Sequence, residues 1–335
     1  MITVEKGKNG KDLITLENEY LKIVVTNWGC RVISVIMDDI HHQKGDVVLG
    51  YDTLEQYALE DGFLGAFVGR VANRIGKGTF DLNNETYHLA INNGPNSLHG
   101  GNSGLDQKVF HYEIQGDSII FSTMSPHLEE GYPGDLIVMV TYTLKDKTLS
   151  MRYQAASNVD TVVNFTNHSY FNLSNQHGLI DDHILCVHAD RFNHVDQDGL
   201  TIDEEEEVKG GAFDFTEPTR IGDKLHLKHP QLLSALGYDH HFIFNTDADQ
   251  VVLFDPQTRR QLTVSTTLPG AQIYTANYLD GKKGKYGEIY DPQFAVCIET
   301  QNRPDAIHIE EEPSTILKKG TWYDETTTYT FEVIE

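Results

Sequence analysis

The 335-residue chain carries 26 Lys+Arg against 50 Asp+Glu, a formal net charge of −24 that is spread along the sequence with only short acidic clusters. A surface of that sign favours solubility and repels phosphate backbones and anionic lipid, so nucleic acid and membrane are poor partners. A phosphorylated small molecule would need a local basic pocket. The length allows one large all-β domain or two ordinary ones, and is ample for a well-buried core. Cys30, Cys186 and Cys297 are too far apart for a disulfide framework or a zinc pattern, and Cys30 and Cys297 sit in apolar runs as small buried hydrophobes. The start, Met1-Ile2-Thr3-Val4-Glu5-Lys6, lacks the features of a signal peptide, and no apolar run nears the ~18 residues of a membrane span. A soluble, cytoplasmic protein is expected.

Taken in order, residues 13–37 read as three strands, 13–16, 21–25 and 32–36, separated by Glu17-Asn18-Glu19 and Asn27-Trp28-Gly29. Residues 53–60 form a short helix candidate with Thr53 as N-cap. The run Gly69-Arg70-Val71-Ala72-Asn73-Arg74-Ile75-Gly76-Lys77-Gly78 fails the spacing of a phosphate loop. A hairpin is expected over 79–89, turning at Asn83-Asn84, followed by the loop 92–101 with His99 inside it. Strand 136–144 pairs with 149–155 across a turn at 145–148, and 251–264 reads as another hairpin. The runs 203–207 and 310–312 are acidic and read as solvated surface. Short strands, regular turn signals and few helical stretches, with no linker, short repeat or low-complexity tract, argue for an all-β protein built as a large β-sandwich.

The run Thr161-Val162-Val163-Asn164-Phe165-Thr166 is β-branched and aromatic and reads as a strand, with Asn167-His168 following it. Alternation places Val163 and Phe165 on one face and Asn164, Thr166 and His168 on the other, which suggests the floor of a wet cleft; a strand ending in a turn explains the same residues. Glu299 closes the apolar run 294–298, so it is either a desolvated base at a cleft or a strand-end glutamate in solvent. His99 and His168 titrate in the range a complementary acid needs. Asn73 and Arg74 offer an amide and a guanidinium fork suited to sugar hydroxyls, and Asp239 could orient a hydroxyl or belong to a turn. Asp239-His240-His241 and Asp181-Asp182-His183 have ligand-type residues without metal-site spacing, so no metal is assigned.

Six stretches in order, Gly69-Arg70-Val71-Ala72-Asn73-Arg74-Ile75, Asn96-Ser97-Leu98-His99-Gly100-Gly101, Asn167-His168-Ser169-Tyr170-Phe171-Asn172-Leu173, Tyr238-Asp239-His240, Gln272-Ile273-Tyr274-Thr275 and Glu299-Thr300-Gln301, resemble the aldose 1-epimerase (galactose mutarotase) family along most of the chain. The resemblance implies one β-supersandwich domain over 1–335, with large antiparallel sheets and few short helices. It implies His168 as the proton donor to the ring oxygen, Glu299 as the base on the anomeric hydroxyl, and His99 as a second histidine beside the ring. Asn73, Arg74, Asp239 and Gln272 would hold hydroxyls, and Tyr278 would offer an aromatic face. The implied reaction interconverts the anomers of galactose or glucose with an acid and a base on opposite sides, and needs no cofactor or metal. The partner is then a small aldose, and the protein a monomer or homodimer. Arg303 and His308 depart from the family pattern and put the outer subsite in question, which leaves a maltose-type disaccharide as an alternative. A non-catalytic sugar sensor and a hexose-6-phosphate epimerase are the other readings; the second would need basic residues, of which Arg70 and Arg74 are near.

Overall fold

Period-two alternation becomes sheet almost throughout the chain. The computed structural model describes residues 1–59, 62–175, 177–311 and 314–335. Among these the fold is predominantly antiparallel β with few, short helices. A five-stranded sheet runs in chain order from Ile2–Glu5 to Lys44–Asp46. A nine-stranded sheet contains the hairpin of Leu136–Lys145 and Thr148–Ser157, with Leu136, Val138, Val140, Tyr142 and Leu144 pointing inward. The last strand, Tyr323–Val333, inserts between Thr148–Ser157 and Arg260–Thr266 and so joins the middle of the chain to its later part. A six-stranded sheet, ordered Tyr170–Phe171, Val296–Gln301, Gly270–Tyr274, Asp239–Phe244, Ala189–Val195 and Thr201–Glu207, carries much of the cleft described below. One apolar core touches all three sheets, through residues such as Ile14, Val138 and Ile298.

Local signals translate directly. Asn83 and Asn84 both have positive φ (54° and 63°) between Thr79–Leu82 and Glu85–His88, as a two-residue hairpin turn requires. Thr53 caps the helix Leu54–Leu59 reciprocally: its backbone N–H donates to Gln56 Oε1 at 3.0 Å, and its Oγ1 accepts from Gln56 N–H at 3.4 Å. Glu60, the last residue of the predicted helix, and Glu312, in the second acidic run, lie outside the described residues. The three cysteines are buried and free. No helix among the described residues is long and apolar enough to cross a membrane.

One expectation needs correction. The single strand expected over 161–166 is divided: Thr161–Val162 pairs with Ile316–Leu317, Asn164 bridges Val71, Thr166–His168 pairs with Ala66–Val68, and Tyr170–Phe171 moves to Val296–Gln301. The chain turns a corner between sheets, so both of its faces are buried. The Asn164 amide is engaged with the backbone of Asn302 (2.9 and 3.1 Å) and does not floor a cleft. The acidic run 203–207 is largely exposed, as expected of solvated surface, and carries ion pairs of Arg303 with Asp203 (3.0 Å), Arg191 with Glu205 (3.0 Å) and His194 with Glu206 (2.7 Å).

Candidate active site

A cleft of about 460 Å³ opens over the six-stranded sheet and is lined by residues that include Asn73, Arg74, His99, His168, Asp239, Tyr278 and Glu299. Sheet register explains part of this convergence. Gln272 pairs with Glu299 and Asp239 with Tyr274 on adjacent strands, so their side chains share one face. Gln272 Nε2 donates to Asp239 Oδ1 at 2.8 Å, which places Gln272 one shell behind the lining. Glu299 is not at a strand end: it lies within Val296–Gln301, with Val296 and Ile298 in the main core on the opposite face. Its side chain is 3% exposed, which removes the reading of a solvated strand-end glutamate.

His168 Nε2 stands 3.4 Å from Glu299 Oε1, so the two groups sit side by side and not across the cleft. The imidazole is stacked between Phe63 (6.0 Å, 18°) and Tyr170 (5.0 Å, 18°). Burial pushes its pKa down to about 3. Burial also drives the Glu299 carboxyl well above its usual value; the charge of Asp239 adds to this and Arg74 opposes it. Both environments favour the neutral forms, the unprotonated imidazole and the protonated carboxyl.

His99 comes from the 96–101 loop and exchanges two hydrogen bonds with Asn73. Its backbone N–H donates to the Asn73 carbonyl at 3.0 Å, and its Nδ1 accepts from Asn73 N–H at 3.1 Å. That second bond fixes the proton on Nε2, so the ring nitrogen free to act in the cleft is a donor. Burial, then His168 and Arg74, keep its pKa well below the ordinary value, and the ring is neutral. Arg74 is held by Asn93 Oδ1 (2.9 Å from Nε), by Asn73 Oδ1 (3.4 Å from Nη1) and by Asp239 Oδ2 (3.9 Å). Tyr278 is 57% exposed and stacks on Tyr274 at 6.2 Å and 24°, offering an aromatic face at the rim.

His99, His168 and Glu299 can each bring one ligand atom within 4.8 Å of the others, a donor set of zinc type. The fit is poor, because a metal on His99 Nε2 would require a proton on Nδ1, facing the Asn73 N–H. The two sequence clusters come apart. His240 accepts from Asp239 N–H and points to Gln231, while His183 accepts from Leu173 N–H and Asp182 pairs with Arg220. Arg70 is also turned away: its guanidinium is engaged by Ser125 and by the carbonyls of Ser125, Pro126, Pro133 and Gly134. Arg303 and His308 do not line the cleft; they bond Asp203 (3.0 Å) and Asp305 (2.7 Å). The outer wall is formed instead by the 195–199 turn with Ser234 and Lys282. Sequence reasoning missed Phe63, Asn93 and this turn. Asp196-Gln197-Asp198-Gly199 carries a turn signal, but nothing local says what it faces.

Fold and site together define a predominantly antiparallel β protein with a buried histidine–carboxyl pair beneath a polar cleft. The chain matches the family model described as aldose 1-epimerase over residues 12–330, and it belongs to that family. It is 42% identical to galactose mutarotase from Bos taurus over 332 residues, covering 98% of this chain and 96% of the relative. Among solved structures it is similar to an aldose epimerase homologue from C. elegans (TM-score 0.91, 27% identity, 97% of this chain and 100% of the other). It is also similar to galactose 1-epimerase from Lactobacillus acidophilus (TM-score 0.86, 28% identity, 99% and 98%).

Proposed function

We propose that the protein interconverts the α and β anomers of free aldoses, galactose or glucose, by acid–base opening and closure of the pyranose ring. The observation that carries this reading is the His168–Glu299 pair, buried side by side at 3.4 Å under the cleft. The anomeric hydroxyl oxygen and the ring oxygen are both bonded to C1, so neighbouring groups can serve both. Ring opening starts from the form of the pair with one proton, on His168, the arrangement that burial disfavours. Glu299 takes the proton from O1, the C1–O5 bond breaks with its electron pair going to O5, and His168 gives its proton to O5. This leaves neutral His168 and protonated Glu299, the arrangement that burial favours, so ring opening follows the electrostatics of the site. Rotation about C1–C2 presents the other carbonyl face, and the same two transfers run backwards to close the ring.

His99 Nε2–H donates to a sugar oxygen. Arg74, Asn73 and Asp239 hold hydroxyls, Gln272 orients Asp239, and Tyr278 covers one face of the ring. The reading takes 1–335 as one catalytic domain, supported by a family match that runs from residue 12 to 330. A reducing disaccharide of maltose type is the second reading, favoured by the extension of the lining from Asp239 and Arg74 out to Asp196, Gln197, Asp198 and Ser234. A phosphorylated sugar is disfavoured by Arg70, whose guanidinium is already occupied by backbone carbonyls. Exchange NMR on the anomeric protons of galactose, glucose and maltose tests the reading. Wild type should speed exchange, His168→Asn and Glu299→Gln should abolish the gain, and the ranking of sugars should decide between the two substrate classes. Exchange no faster than buffer for all three sugars would sink it.

A further inference from the structure

Three walls of the outer cleft come from separate elements: the 195–199 turn, the helix Pro230–Ala235 with Ser234 and Ala235 at the lining, and the strand Asp239–Phe244, which starts with Asp239. Gln231, in the first turn of that helix, bonds to the other two. Its side-chain amide faces the backbone of Val195 as a neighbouring strand would. Oε1 accepts from Val195 N–H at 2.8 Å, and Nε2 donates to the Val195 carbonyl at 3.1 Å. Oε1 also accepts from His240 Nε2–H at 3.0 Å. The direction of that bond follows from the other ring nitrogen, since His240 Nδ1 accepts from Asp239 N–H at 3.0 Å. The turn reaches Arg74 at its far end, where a Cβ added to Gly199 would stand 3.0 Å from Arg74 Cζ and Nη2. One amide therefore connects the backbone beside Asp239 to the turn that backs Arg74.

We propose that Gln231 is a positioning residue for sugar binding: by clamping Val195 to His240 it sets the spacing between Asp239 and Arg74. It touches neither the sugar nor the reacting atoms, so its effect falls on affinity and spares the chemical step. The helix does not depend on this amide to stay docked. Asn277 Nδ2 donates to the carbonyls of Ala235 and Tyr238 (both 2.9 Å), Leu232 is in the core, and His229 reaches Glu206 at 3.4 Å.

The proposal builds on the epimerase reading, and Gln231→Met tests it by keeping the shape and removing the amide. Two measurements are made: hydrogen exchange of the Val195 amide without sugar, and KM and kcat for galactose. The expected result is exchange at least tenfold faster, KM raised roughly tenfold and kcat within about twofold of wild type, from the loss of the three hydrogen bonds that the amide makes. Gln231→Glu, which keeps both accepted bonds and loses the donated one, should fall between Gln231→Met and wild type. Val195 exchange at the wild-type rate, an unchanged KM, or a loss carried by kcat would overturn the proposal. If wild type turns over no aldose, the epimerase reading fails separately; the exchange rate still reads the clamp, and galactose affinity by calorimetry takes the place of KM.

Discussion

Replacing Glu299 by Gln separates two consequences of burying a carboxyl beneath the cleft. The side chain is 3% exposed, and Oε2 has no hydrogen-bond partner among the described residues. Burial first, then the charge of Asp239, hold its pKa well above the ordinary 4.5, with Arg74 opposing. A group whose folded pKa is raised binds its proton more tightly in the fold, so its contribution is full below the unfolded value and is lost as pH rises toward the folded one. Above pH 4.5 the wild type therefore loses about 1.4 kcal/mol of unfolding free energy per pH unit from this group until Glu299 ionises in the fold. Glutamine has nearly the same shape and never ionises. Urea unfolding between about pH 5 and 8 should show Glu299→Gln gaining on wild type as pH rises, while kcat falls roughly 10²- to 10⁴-fold. A stability difference independent of pH, or a variant less stable at every pH, would refute the desolvation argument. Retained turnover would refute the role of base.

Asp239→Asn removes a charge that raises the Glu299 pKa, so the alkaline limb of kcat/KM, where the pair loses its one proton, should move to lower pH while KM rises; a limb that stays put or moves up contradicts this. Gly199→Ala introduces a Cβ at φ +74°, 3.0 Å from the Arg74 guanidinium, and should raise KM and cost about 1 kcal/mol in chemical unfolding. Arg70→Lys should destabilise by roughly 2–4 kcal/mol with KM unchanged, because its hydrogen bonds run to backbone away from the cleft. His99, His168, His183, His240 and His241 are held neutral by burial, with pKa values near 3 or 4 for the last four and well below 6.5 for His99. Their folded pKa values are depressed, so stability is intact above pH 6.5 and falls as pH drops toward 4. Unfolding titrations over that window should show uptake of three to five protons, and uptake near one would contradict the assignment.

Where side-chain period and turn chemistry act locally, the fold was legible in the sequence. The hairpins at Asn83-Asn84 and over 136–157, and the Thr53 cap, follow from residues that contact their own neighbours. The candidate site was legible through the order of motifs that resemble the family; the residues alone left Glu299, His168, His99 and Asp239 open. What stayed hidden depends on partners far along the chain. The switch of 161–171 between sheets requires Val71, Ala66–Val68 and Val296–Gln301 to meet there. The apolar run before Glu299 suggested a strand reaching a cleft, yet the strand continues to Gln301 because Gly270–Tyr274 pairs with it over that length. Arg303 departs from the family pattern without entering the cleft, since Asp203 and Glu205 draw it to the sheet edge. Charge type alone could not show where that side chain points.

Polarimetry of freshly dissolved α-galactose is the most direct test of the central claim, that His168 and Glu299 open the ring together. Wild type should bring the rotation to its equilibrium value faster than buffer, and His168→Asn and Glu299→Gln should each return the decay to the buffer rate. The double variant should be no slower than either single one, because the two groups share one proton. Wild-type acceleration that survives in either single variant would contradict the account.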